Sequence, residues 1–187
     1  MIKSLALGGS PEFAVADGMG MVYDNLEDGN ALLAIDSRSL AVKTKWPVAP
    51  AGGPTALAMD RPHRRLFSSG RNPQMLVMVD ADNGKVIQSF PISAGADANV
   101  FDPETGMVFV STREGMIHIF HEDSPDKLSE VETVKTEYGA KTMALDPKTH
   151  NLYLTTADFA AAAPSAKQPN PRRAPVPGTF RLLIYGR

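Results

Sequence analysis

The chain contains no cysteine, which excludes disulfides, thiolate catalysis and cysteine-ligated metals while leaving cytoplasm and periplasm equally open. An excess of charge is also missing: 19 basic residues face 21 acidic ones, for a net charge of -2 and a pI near 6.1. There is thus no overall basic field to hold a phosphate backbone. No run of about 18 apolar residues is present to span a membrane. The opening Met1-Ile2-Lys3-Ser4-Leu5-Ala6-Leu7 stops at Gly8-Gly9, too short for a signal-peptide core with its flanks, so the chain reads as soluble. Neither a Walker nor a dinucleotide fingerprint occurs, and the paired glycines Gly8-Gly9 and Gly52-Gly53 fall at turns. Ser10 and Ser111 have no histidine base in register, so nucleophilic hydrolysis lacks its second member and no residue is assigned a catalytic role.

What is present is a repeated pattern. With 187 residues, 43% of them hydrophobic, the chain is long enough for one domain with a proper core. Its clearest stretch is Asn99 to Thr112, NVFDPETGMVFVST. There Asp102-Pro103-Glu104-Thr105-Gly106 predicts a type I turn: Asp accepts from the backbone, Pro presets φ, and Gly takes the left-handed exit. The turn joins two antiparallel strands, and the second is apolar without alternation, as in a strand covered on both faces. The turn aspartate recurs as Asp17, Asp60, Asp102 and Asp146, at steps of 43, 42 and 44 residues. About 40 to 45 residues carrying four short strands is the period of a β-propeller blade.

The expectation is therefore an all-β propeller of about four four-stranded antiparallel blades, in units of about 10–51, 52–93, 94–137 and 138–187. Within each unit the strands run a, b, c, d; in the second, c is Met75 to Val79, followed by the hairpin signal Asp82-Asn83-Gly84 and d at Val86 to Ile92. The fourth unit ends after its strand c at Phe180 to Tyr185. The N-terminal stretch 2–9 matches a d position, because it precedes Gly-Gly-Ser-Pro as KWPVAPAGG precedes Pro54. It is expected to supply the missing strand d of the last blade, the alternative being that the chain is part of a larger propeller. Trp46, Phe90 and Leu5 fall at similar d positions and read as packing between blade rims.

The repeats GGPTALAMDRPHRRLFSSG and YGAKTMALDPKTHNLYLTT, with c strands running into Asp36 and Asp80, resemble the YVTN-repeat (YncE-like) β-propellers of bacteria. The likeness covers Gly8 to about Asp158 and returns at Phe180 to Arg187. It implies a periplasmic or secreted protein, although cytoplasm stays open because no export signal is seen, and a ring that in this family usually has seven blades. Single-stranded nucleic-acid binding is associated with such proteins, but the charge balance and the lack of interleaved exposed aromatics argue against it here.

In a propeller the a strands line the central channel, and the d–a and b–c loops open on the face where ligands bind. Glu12, Thr55, Asp97 and Lys141, each five positions before a turn aspartate, are expected to ring the channel mouth. Asn25, Arg71, Arg113 and Asp158 stand beside them at the ends of the b strands, and Asn99 lies close by. This predicts a polar site for a small ligand or a macromolecular partner, set against the plainer reading of solvated residues in a wet channel. No cofactor is required, yet Glu12, Asp97 and Asn99 offer oxygen ligands of the kind a divalent cation takes. On that set rests the alternative of a metal-dependent hydrolase or lactonase of gluconolactonase-like type, against which Thr55 and Lys141 occupy two of the four equivalent places. A proline-rich insertion at 158–179 reads as irregular, and its Lys167, Arg172 and Arg173 could meet an acidic partner or a phosphate. His63 and His150 fall in a–b turns on the far face and read as exposed, while His118 and His121 are three apart on or just past a strand and point to opposite faces. Open faces on the first and last blades predict a homodimer or self-association.

Overall fold

A computed structural model describes residues 1–161 and 173–186. Every regular element among them is a strand, and the strands form four antiparallel sheets in sequence order. The first sheet holds β1 (Pro11–Ala16), β2 (Met21–Leu26), β3 (Ala31–Asp36) and β4 (Ala41–Pro47). β5 (Pro54–Asp60), β6 (Arg65–Arg71), β7 (Gln74–Asp80) and β8 (Val86–Pro91) make the second, and β9 (Ala96–Asp102), β10 (Met107–Thr112), β11 (Met116–Ser124) and β12 (Lys127–Lys135) the third. The fourth has three strands, β13 (Thr142–Leu145), β14 (Leu152–Thr156) and β15 (Arg181–Tyr185). The inner strands β1, β5, β9 and β13 follow one another in contact, as the a strands of successive propeller blades do.

The core is not inside any sheet but between sheets. Tyr23, Leu32 and Ala34 of the first blade pack on Leu57, Leu66 and Val77 of the second. Phe67, Leu76 and Met78 on the second blade's other face meet Val108, Val110 and Phe120 of the third. Ile117 of the third meets Leu152 and Leu154 of the fourth. This explains the unbroken apolar runs: β5 is buried at every position because a blade stands on each side of it. The first and last blades have a neighbouring blade on one side only; β1 is exposed at nearly every position, and β15 alternates between exposed and half-buried.

The template turn forms as its residues dictate. Asp102 accepts from the Glu104 N–H at 3.2 Å and the Thr105 hydroxyl at 2.7 Å, and Gly106 donates back to the Asp102 carbonyl at 2.9 Å with φ 68. Asp146 repeats it with Lys148 and Thr149, and the left-handed position there is His150, φ 57.

One expectation is corrected. Residues 2–9 form no strand, and among the described residues β15 pairs only with β14. Lys3 Nζ donates to the Leu40 carbonyl at 2.9 Å and Ser10 N–H to Asp28 at 2.8 Å, at opposite ends of the first blade, so the segment runs along that blade. The physical reason is reach: Ser10 leads directly into β1, and β1 makes no extended contact with β13. Leu5 is half-buried on this segment, not on a rim strand. Trp46, stacked on Tyr23 of its own blade at 6.1 Å, packs against the core shared with the second blade, and Phe90 lies 5.1 Å from Phe120 of the third.

Candidate functional site

The loops that follow strands b and d gather charge into one chain of contacts across all four blades. Glu12 on β1 and Glu27 in the β2–β3 turn face Arg71 at the end of β6, whose Nη1 lies 3.9 Å and 2.8 Å from their carboxylates. Arg71 Nη2 is 3.5 Å from Asp97 on β9, and Asp97 in turn holds Lys141, which precedes β13. Burial raises the pKa of Glu12, with the negative Glu27 and Asp97 adding to the effect and Arg71 opposing it. The four-blade arrangement is what brings these residues together, since they come from positions as far apart as 12 and 141.

Beside this chain, between the third and fourth blades, a cleft of about 200 Å³ is lined by Arg113, Tyr138, Gly139, Lys141, Phe159 and Arg173. Tyr138 and Phe159 meet edge to face at 5.1 Å, and the Arg173 guanidinium lies 4.7 Å from the centre of the Tyr138 ring. Gly139, at φ 83, lets the chain pass under Phe159, where a Cβ would stand 2.3 Å from the ring. Among the described residues Arg113 makes no ion pair. Three cations and two aromatic rings thus converge on one cleft at the mouth.

The expected site residues divide accordingly. Glu12, Arg71, Asp97, Lys141 and Arg113 do lie together. Asn25, Thr55 and Asn99 do not open on the mouth: Asn25 donates to the Ala56 carbonyl and accepts from Ser68, Asn99 donates to the Phe67 carbonyl and accepts from Ser69, and Thr55 donates to the Gly53 carbonyl. All three are buried, and their polar atoms are spent tying one blade to the next or closing a turn. The divalent-cation set of Glu12, Asp97 and Asn99 loses its third member to this network, and Arg71 and Lys141 already occupy the space against its carboxylates. Asp158 pairs with Arg181 at 2.9 Å. Of the loop residues, Lys167 and Arg172 lie outside the described residues. The loop's two ends run antiparallel through a Phe159–Pro175 bridge and are not irregular there.

Three residues escaped sequence reasoning. Glu27 belongs to a b–c turn, EDG, that reads only as a turn. Tyr138 and Phe159 are 21 positions apart and become neighbours only because Phe159, just after β14, is set against the d–a connection. His118 is buried, accepts from the Ser93 N–H at 2.9 Å and sits 3.1 Å from the Thr133 hydroxyl; desolvation lowers its pKa, which keeps the ring neutral and structural.

The fold and mouth together define a β-propeller with its polar loops gathered on one face. No protein-family profile matches the chain, and no curated protein does. Solved structures do. Kuenenia stuttgartiensis hydrazine synthase superposes with a TM-score of 0.69 at 13% identity, over 82% of this chain and 46% of that one. A chain of a mitotic checkpoint complex superposes at 0.61 and 15% identity, over 72% of this chain and 43% of its own length. The chain therefore spans a little under half of each of these two chains, and at these identities the likeness is one of fold.

Proposed function

We propose that this propeller is a non-catalytic binding scaffold that takes an anionic group attached to an aromatic or apolar body at the cleft between its third and fourth blades. The observation that carries the reading is the convergence of Arg113, Lys141 and Arg173 on Tyr138 and Phe159. A carboxylate or phosphate would accept from the guanidinium groups, which prefer planar bidentate partners, while the rings pack the rest of the ligand. An acidic segment of a protein partner satisfies the same chemistry. The YVTN-like resemblance adds the proposal that the protein acts outside the cytoplasm.

A hydrolase or lactonase would need carboxylates free to bind an ion or move a proton. Here Glu12, Glu27 and Asp97 face Arg71, and Asp97 also holds Lys141, so the geometry favours binding over turnover.

Amide chemical-shift titration with inorganic phosphate and with phenyl phosphate tests the reading. Phenyl phosphate is expected to bind more tightly, with shifts clustered at Tyr138 to Lys141, Arg113 and Phe159, and Arg113→Ala is expected to weaken it about tenfold, the loss of roughly one charged hydrogen bond. Shifts scattered over the surface, or equal binding of the two anions by the wild type and R113A, would sink it.

A further inference from the structure

The left-handed residue four places after the turn aspartate has a second task in the second and fourth blades. In the second blade it is Arg64, φ 56, and its Nη1 reaches back to Asp17 of the first blade at 3.2 Å. In the fourth blade it is His150, φ 57, and its Nδ1 reaches back to Asp102 of the third at 2.7 Å. These two junctions thus close a buried aspartate with a cationic or hydrogen-bonding side chain from the next blade. The junction between the second and third blades breaks the rule, because the equivalent residue is Gly106, φ 68, which has no side chain to send.

A second carboxylate stands there instead. Glu122 on β11 is fixed by its own N–H, which donates to the Gly106 carbonyl at 2.9 Å, and its side chain is directed at Asp60. Asp60 is 2% exposed. Oε1 of Glu122 is fully shielded from solvent and has no hydrogen-bond partner among the described residues. His63 completes the group, with Nδ1 2.5 Å from Asp60 Oδ2, and one ligand atom from each of the three lies within 4.8 Å of the others. The charge of Arg65 is felt at Glu122, but its Nε and Nη2 are held by the Pro125 carbonyl and Asp126 at 2.5 Å and 2.7 Å.

Two carboxylates brought together out of water repel and are poorly solvated; a cation between them removes both costs. We propose that Asp60, His63 and Glu122 form a site for a divalent transition-metal ion, most favourably Zn²⁺, which takes the place of the missing side-chain latch between the second and third blades. The donor set selects the ion: imidazole nitrogen with two carboxylate oxygens suits zinc and its neighbours, whereas calcium and magnesium take oxygen. A tetrahedral ion with ligands at about 2.0–2.1 Å holds them roughly 3.3 Å apart, a spacing these side chains reach by small rotations. His63 leaves the fourth position toward solvent. The site lies on the face opposite the charged mouth, so it neither requires nor competes with a ligand there.

Calorimetric and thermal-melting titrations of the intact chain with ZnCl₂ test this. One ion per chain is expected, with a melting temperature that rises with zinc concentration and does not rise with CaCl₂. Glu122→Gln, which keeps the shape of the side chain, and His63→Ala, at an exposed position, are each expected to weaken zinc binding at least tenfold while the metal-free melting temperature stays at or above the wild type. His121→Ala, which alters the separate His121–Asp123 pair, is expected to leave it unchanged. Absence of zinc binding, survival of the response in both E122Q and H63A, its loss in H121A, or an equal response to calcium would each overturn the proposal.

Discussion

At the scale of single residues, the polar groups of this protein matter most where two blades meet. Tyr23 and Asn25 on β2 point to the second blade, which turns Asp24 between them to the opposite face of the first. There Asp24 is 9% exposed, its Oδ1 has no partner, and desolvation raises its pKa to about 6, with the charge of Glu12 adding and the Glu12 N–H opposing. A carboxyl group whose folded pKa lies above its unfolded value binds its proton more tightly when folded. Its contribution to stability is therefore fully present below the unfolded pKa near 4 and is lost as pH rises through about 6. Asp24→Asn is expected to be more stable than the wild type at pH 8, by about 2–3 kcal/mol, and no more stable at pH 4. Denaturation midpoints across that range check it; an unchanged pH profile would show that water reaches the carboxylate. Asp17 and Asp102 have the opposite sign. Hydrogen bonds from Met19, Met21 and Arg64, or from Thr105 and His150, outweigh burial and lower their pKa values, so their contribution fades only under more acidic conditions.

At the scale of elements, the turns between strands were legible because their chemistry is local. Asp–x–x–Thr–Gly fixes its own geometry through bonds within five residues, and every blade carries a version of it. Less legible was what a turn touches outside its own sheet. Gly84 reads as an ordinary hairpin glycine, φ 75, but a Cβ there would stand 2.0 Å from Cγ of Trp46 on the neighbouring blade. Gly18, φ 78, has open space around it. Both alanine substitutions force a left-handed side chain, at about 1 kcal/mol each. Gly84→Ala is expected to cost roughly 1–3 kcal/mol more than Gly18→Ala, because the indole must move. Urea denaturation of the two variants measures the difference, and equal losses would mean that the Trp46 ring yields freely. The a–b turns show the same division: the aspartates were visible as a period, whereas His150 read as an exposed loop residue and Arg64 carried no signal until the next blade was set beside them.

At the scale of the whole molecule, the four blades leave β15 with an unpaired edge and set Leu182 and Ile184, 53% and 61% exposed, on its open face. An apolar groove of about 350 Å³ runs beside it, lined by Ile117, Ile119, Val131, Val134 and Tyr185. An uncovered strand edge next to apolar surface favours association with another chain. Light scattering is expected to show a mass that grows with concentration, and Leu182→Lys with Ile184→Lys is expected to hold it at one chain; a constant monomer mass for the wild type would contradict this. The sequence by itself determined the number of blades, the strand order and the turn positions, because those depend on periodicity and short-range hydrogen bonding. It also marked Glu12, Arg71, Asp97, Lys141 and Arg113 as mouth residues, since their place follows from the repeat. Only the tertiary structure decided that residues 2–9 run along the first blade, that Asn25, Thr55 and Asn99 are turned inward, and that Glu122 faces Asp60 where Gly106 leaves a gap. The inward turn of Asn25 and Asn99 and the meeting of Glu122 with Asp60 are contacts between blades, made by residues roughly 30 to 60 positions apart, and no local pattern in the chain records which side chain meets which.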